Sequence, residues 1–94
     1  MIYIDPPQQR FIRFRNEMLP SSHLVSDTSE DELHAFVAAM GLSRRGFHNK
    51  PGKPHYDLID WMIPKAIEMG AKQVTSREIV RILHRRFGDG SATT

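Results

Sequence analysis

Ser29 stands three residues before Glu32, and Leu33, Phe36, Val37 and Met40 then recur at i, i+3, i+4 and i+7 up to Gly41. A hydroxyl at the cap, a carboxylate three residues on, one apolar stripe and a glycine stop together specify an amphipathic helix with a single buried face. Such a helix needs a partner surface, so the rest of the chain has to supply a layer for it to cover. The chain has no cysteine, so no disulfide can replace that apolar contact and thiolate metal sites and thiol chemistry are excluded. At 94 residues there is room for one core. Hydrophobic residues at 39% and charged residues at 26% are ordinary for a soluble globular protein.

The candidate layer comes from short β-prone runs. Ile2-Tyr3-Ile4 alternates and is ended by Asp5-Pro6-Pro7. His23 to Ser26 reads as a second strand and Lys72 to Val74 as a third, while residues 8–21 lack helical period and Pro20-Ser21-Ser22 reads as loop. Residues 43–54, with Gly46, Pro51, Gly52 and Pro54, read as a basic, mobile loop. A second helix capped by Asp60 tolerates Pro64 in its first turn and buries Trp61, Met62, Ile63, Ile67 and Met69 before Gly70. Thr75 and Glu78 form another capping pair, opening a third helix with the stripe Ile79, Val80, Leu83 and Phe87. The expected architecture is a small α/β (α+β) single domain over residues 1–88, with a short mixed sheet of about three strands, about three helices and a flexible tail at 89–94. An all-helical bundle with extended N-terminal arms is the alternative.

The net charge of +2 conceals blocks of one sign. Arg10, Arg13 and Arg15 alternate with Phe11, Ile12 and Phe14; Asp27, Glu30, Asp31 and Glu32 form an acidic block; Arg44, Arg45, Lys50 and Lys53 follow without an acid among them. On the third helix Arg77, Arg81, His84 and Arg85 share a face, and Arg77 lies in the first turn, where free backbone N–H groups favour anions. This layout suits a phosphate-bearing ligand, although charge runs also serve as solvated faces. No apolar stretch approaches a membrane span and no basic-then-apolar leader opens the chain, so a reducing cytoplasm is the expected location and no membrane partner is expected.

Three spaced patterns carry a resemblance. They are Ile2-Tyr3-Ile4-Asp5 with His23-Leu24-Val25-Ser26-Asp27-Thr28 running into Asp31-Glu32-Leu33-His34-Ala35; His55-Tyr56-Asp57-Leu58; and Met69-Gly70-Ala71 with Val74-Thr75-Ser76-Arg77. Up to about Val80 the chain resembles a family of small bacterial and phage proteins grouped as a domain of unknown function, number 4031. The resemblance implies no activity. It singles out Asp5, His23, Asp27, His34, His55, Tyr56, Asp57 and Arg77 as matching the family's polar pattern. The chain departs from that pattern at Gly46-Phe47-His48, where many relatives carry an aromatic pair and Gln, and at Met62 and Ile63, where many carry basic residues.

Chemistry-bearing groupings follow from strand alternation. His23, Val25 and Asp27 share one face of an extended segment, and so do His55 and Asp57, with Tyr56 pointing the other way. Parallel first and second strands would bring Asp5 and Asp27 to one edge; antiparallel strands would separate them, and the 18 residues from Asp5 to His23 allow either. A carboxylate beside an imidazole orients it and raises its basicity, although Asp57 could instead cap a helix. His23, His34 and His55 with Asp27 or Asp57 are ligand types for zinc, manganese or iron, but no compact metal motif is present, so the residues allow a divalent metal and leave the cofactor unknown. His48 and His84 read as surface residues. There is no phosphate-binding glycine loop and no nucleophile elbow.

Three functions remain. The first is a module binding a nucleotide or nucleic acid through a His/Asp/Arg pocket, with Arg77, Arg44 and Arg45 on phosphate, Tyr56 or Phe47 stacking on a base, and Asp5 and His34 completing the pocket. The second is a small His/Asp-dependent hydrolase or transferase, metal-assisted or not, with His55, Asp57, His23 and Asp27 as the catalytic set. The third is a phage or bacterial interaction module that binds a host protein, or itself as a homodimer, through the Trp61–Ile63 apolar cluster.

Overall fold

The computed structural model describes residues 1–14 and 17–88, with backbone alone over 8–14 and 17–18. The proposed tail at 89–94 and the side chains of the Arg10–Arg15 segment therefore lie outside the described residues. The order is β1 (Ile2–Ile4), β2 (Gln8–Phe14), β3 (Glu17–Ser26), α1 (Glu30–Ala39), β4 (Phe47–Lys50), β5 (Lys53–Ile59), α2 (Met62–Glu68), β6 (Lys72–Gln73) and α3 (Ser76–Phe87). The class is α+β, as the sequence predicts, but the sheet has six strands rather than about three. Its main order is β4-β5-β3-β1-β6, with β2 paired to β3; only the β1–β6 pair is parallel.

The additional strands come from two segments read as loops. Residues 8–14 form β2 and residues 17–21 the first half of β3, and Pro20 sits within β3 opposite Phe11. Residues 47–59 form the β4–β5 hairpin, closed by Pro51 and Gly52. Gly52 has φ +73°, which a type II turn requires at its second central position, so the punctuation that suggested a loop is the hairpin turn itself. Before β4, Arg44–Gly46 makes a short 3-10 turn.

The helices follow the sequence expectation with adjustments. Ser29 Oγ accepts the Glu32 N–H at 3.1 Å, capping α1. The Glu32 carboxylate does not complete the box; it accepts from the Ser26 hydroxyl and from the Met1 amine at 2.7 Å. The cap of α2 is Trp61 rather than Asp60, which occupies a left-handed turn at φ 45° between β5 and the helix. Pro64 does fall in the first turn of α2. Thr75 caps α3, but its buried stripe is Ile79, Ile82 and Leu83, and Val80 is 55% exposed.

The sheet has two unlike faces. On one, Ile2, Ile4, Leu24, Tyr56 and Leu58 pack against Leu33, Val37 and Met40 of the α1 region and Ile63 and Ala66 of α2. On the other, Tyr3 and Val25 pack against Ile79, Ile82, Leu83 and Phe87 of α3. Strand alternation carries this second face outward from Tyr3 to Asp5, from Val25 to His23, and across β5 to Asp57 and His55, where polar side chains replace apolar ones. The candidate site begins where the apolar contacts with α3 end.

Candidate metal centre on the open sheet face

Register creates the cluster. His23 of β3 pairs directly with Asp57 of β5, and His55 pairs with His48 of β4. Directly opposed side chains on one face stand about 5 Å apart at Cβ, so four polar groups meet across three strands. Asp5, one residue past β1, extends the row: its backbone N–H donates to the His23 carbonyl at 3.2 Å.

Asp5 is fully buried. Its carboxylate accepts the His23 backbone N–H at 2.7 Å, His23 Nδ1–H at 2.8 Å and the Ser76 hydroxyl from the start of α3 at 3.1 Å. With Nδ1 donating to a carboxylate, His23 turns its other nitrogen toward the open face. His55 is fixed likewise: Nδ1 lies 2.7 Å from the Lys53 carbonyl, which can only accept, so Nδ1 carries the proton and Nε2 presents a lone pair. Asp57 Oδ1 lies 3.9 Å from His23 Nε2 and 3.6 Å from His55 Nε2. One donor atom from each of His23, His55 and Asp57 lies within 4.8 Å of the others. Donors bonded at about 2.1 Å to a tetrahedral ion stand roughly 3.4 Å apart, within small side-chain adjustments of these separations. Burial pushes the His55 imidazole below its ordinary value, with His23 and His48 acting in the same direction against the Lys53 carbonyl and Asp57. Neutral imidazole is the form that binds a metal.

Not every residue proposed from sequence reaches this cluster. Asp27 does not: β1 and β3 are antiparallel with Ile2 opposite Ser26, so Asp5 and Asp27 lie at opposite ends of the pair. Asp27 instead binds the Met1 amine at 3.1 Å and the Thr28 hydroxyl at 2.8 Å. Burial raises its carboxyl, but those partners outweigh it and hold the group below its usual range. Tyr56 and His34 lie on the other face, where the Tyr56 hydroxyl and His34 Nδ1 are 2.7 Å apart and the His34 ring packs edge-on against Phe47. Tyr56 is buried, so it offers no stacking surface to a base; burial raises its hydroxyl pKa, opposed by Arg44 nearby. Arg44 and Arg45 are exposed in the 3-10 turn, with Arg44 toward Tyr56 rather than the cluster. Arg77 is exposed on the first turn of α3, next to the Ser76 that holds Asp5. On the same helix Arg81 is paired with Glu78 at 2.8 Å, and Arg86 binds Glu30 and the Ser26 carbonyl.

His48, read from sequence as a surface residue, belongs to the site. Its Nε2 lies 2.9 Å from Asp57 Oδ2, and its ring stacks on His55 with centroids 4.9 Å apart at 7°. The signal that could have found it is the turn: folding residues 47–59 about Pro51-Gly52 places His48 opposite His55. The apolar cluster at Trp61–Ile63 is smaller than expected, because Ile63 is buried at 7% and Met62 is half-buried, leaving Trp61 exposed.

Over residues 2–86 the chain matches a family described as "Protein of unknown function (DUF4031)". The chain belongs to this family. The matched span contains every residue of the cluster, from Asp5 to Ser76. No curated protein and no solved structure matches the chain. Among the described residues no helix is long and apolar enough to cross a membrane.

Proposed function

We propose that this DUF4031 domain is a small metal-dependent hydrolase acting on a phosphate-bearing substrate, with a divalent cation held by His23, His55 and Asp57. The observation that carries the reading is the pairing of two imidazoles whose Nδ1 atoms are engaged by Asp5 and the Lys53 carbonyl, so that both Nε2 atoms approach Asp57 Oδ1. Two histidines and one carboxylate leave coordination positions open, the mark of a reactive centre rather than a purely structural one, and they suit zinc, manganese or iron(II). Held by His23, His55 and Asp57, such an ion would lower the pKa of a bound water and act as a Lewis acid on the substrate. Asp5 keeps His23 in the ligating tautomer and orientation, as outer carboxylates do for metal-bound imidazoles.

The phosphate preference rests on charge placement. Lys50 and Lys53 are a direct cross-strand pair at the hairpin end, two residues from His48 and His55, and so share their sheet face. Both are exposed, and residues 41–56 contain no acid. Nucleotides and nucleic acid are the natural source of such a substrate.

The test is hydrolysis of bis(p-nitrophenyl) phosphate by metal-depleted protein to which zinc, manganese or iron(II) is returned. Turnover that depends on the added metal and falls at least 100-fold in Asp57→Ala, with the circular dichroism spectrum retained, is the expected result. Metal uptake with nucleotide binding and no turnover would convert the reading to a binding module. Turnover unaffected by metal removal would favour Asp5–His23 acting alone as a general-base pair.

A further inference from the structure

The two oxygens of Asp57 are not equivalent. Oδ1 faces the Nε2 atoms of His23 and His55 at 3.9 and 3.6 Å, whereas Oδ2 is 2.9 Å from His48 Nε2. His48 reaches that oxygen from the neighbouring strand, its ring lying parallel to His55. It does not join the group of three whose donor atoms lie within 4.8 Å of one another. A carboxylate free at both oxygens can chelate an ion and fill two of its positions, while one whose second oxygen accepts an N–H binds through the first alone.

We propose that His48 is a positioning residue that makes Asp57 a one-oxygen ligand and thereby keeps positions open on the metal for water and substrate. This rests on the metal reading above and adds a division of labour to it. His23 is aimed by Asp5, His55 by the Lys53 carbonyl, and Asp57 by His48, so each ligand has its own outer partner. Asp5 is buried and the Lys53 carbonyl is a backbone group beside the hairpin turn. His48 is an exposed side chain on the β4 edge, and its contact with Asp57 depends on the hairpin register. The ring keeps its parallel stack on His55 while its Nε2 meets Oδ2.

Cobalt(II) titration of the metal-free full chain, followed by visible absorption, tests this without a substrate, because band intensity falls as the coordination number rises. In His48→Ala the freed Asp57 should chelate, so the coordination number rises and the bands weaken. His48→Gln, whose amide can donate to Oδ2, should restore the wild-type spectrum. A wild-type spectrum in His48→Ala would overturn the proposal while leaving the metal centre standing. A His48→Gln spectrum as altered as that of His48→Ala would overturn it in favour of His48 as a direct ligand. Absence of cobalt binding by the wild-type chain would remove the metal reading, and this inference with it.

Discussion

A carboxylate buried as deeply as Asp5 persists only if donors replace the water it has lost. It has three: the His23 amide, the His23 ring and the Ser76 hydroxyl. Removing the acceptor strands those donors, so Asp5→Ala should lower stability by about 2–3 kcal/mol in urea denaturation. It should also weaken metal binding, because the His23 ring loses its anchor. A variant as stable as the parent would show that Asp5 is not what holds His23. His55 adds a pH dependence. Its folded pKa is depressed below the ordinary 6.5, so the unfolded chain binds the proton more readily. That contribution to stability is complete above about pH 6.5 and is lost as the pH falls through the lower folded value. Melting of the metal-free protein between pH 7.5 and 5 should show this decline, and His55→Gln should flatten it. At this scale the sequence is a fair guide to which residue types matter and a poor one to which of them meet. His55 and Asp57 share a face by alternation, but Asp27 and His34 carry the same chemistry and lie elsewhere. Strand direction decides the first and the α1 face the second, and neither is written in the local spacing.

The helices were legible because their signals are local: a cap, a 3.6-residue stripe and a glycine stop lie within a dozen residues. The β4–β5 hairpin was not, because Phe47-His48-Asn49-Lys50 has no apolar alternation and its stability comes from pairing with a strand already in the sheet. Pro51 and Gly52 are equally compatible with an open loop and with a tight turn. The hairpin brings His48 to Asp57, so its turn should matter to the site. With φ +73° and open space around it, Gly52 is constrained by backbone conformation alone. Gly52→Ala should cost roughly 1–2 kcal/mol, read by chemical denaturation, and should increase amide exchange in β4 ahead of the rest of the sheet. Protection in β4 equal to the parent's would mean that the turn does not govern the strand.

Among the described residues, six strands and three helices produce one sheet with a mainly apolar face, broken by Ser22, Ser26 and the Tyr56 hydroxyl, and a face that changes character partway. Helices α1 and α2 cover the first; α3 packs on the β1–β3 part of the second and not on the polar row of β3, β5 and β4, where His23, His55 and Asp57 are partly exposed and His48 is exposed. A ligand that binds only this folded arrangement stabilises it by mass action, by about 2.7 kcal/mol at a hundredfold excess over Kd. Calorimetric titration of the metal-free chain with zinc, together with the melting temperature at saturation, is the direct measurement. One ion per chain and a raised melting temperature, both lost in His23→Ala and Asp57→Ala and both kept in Asp27→Ala, is the expected result. No binding, or binding that survives the loss of His23 and Asp57, would contradict a metal centre on this face.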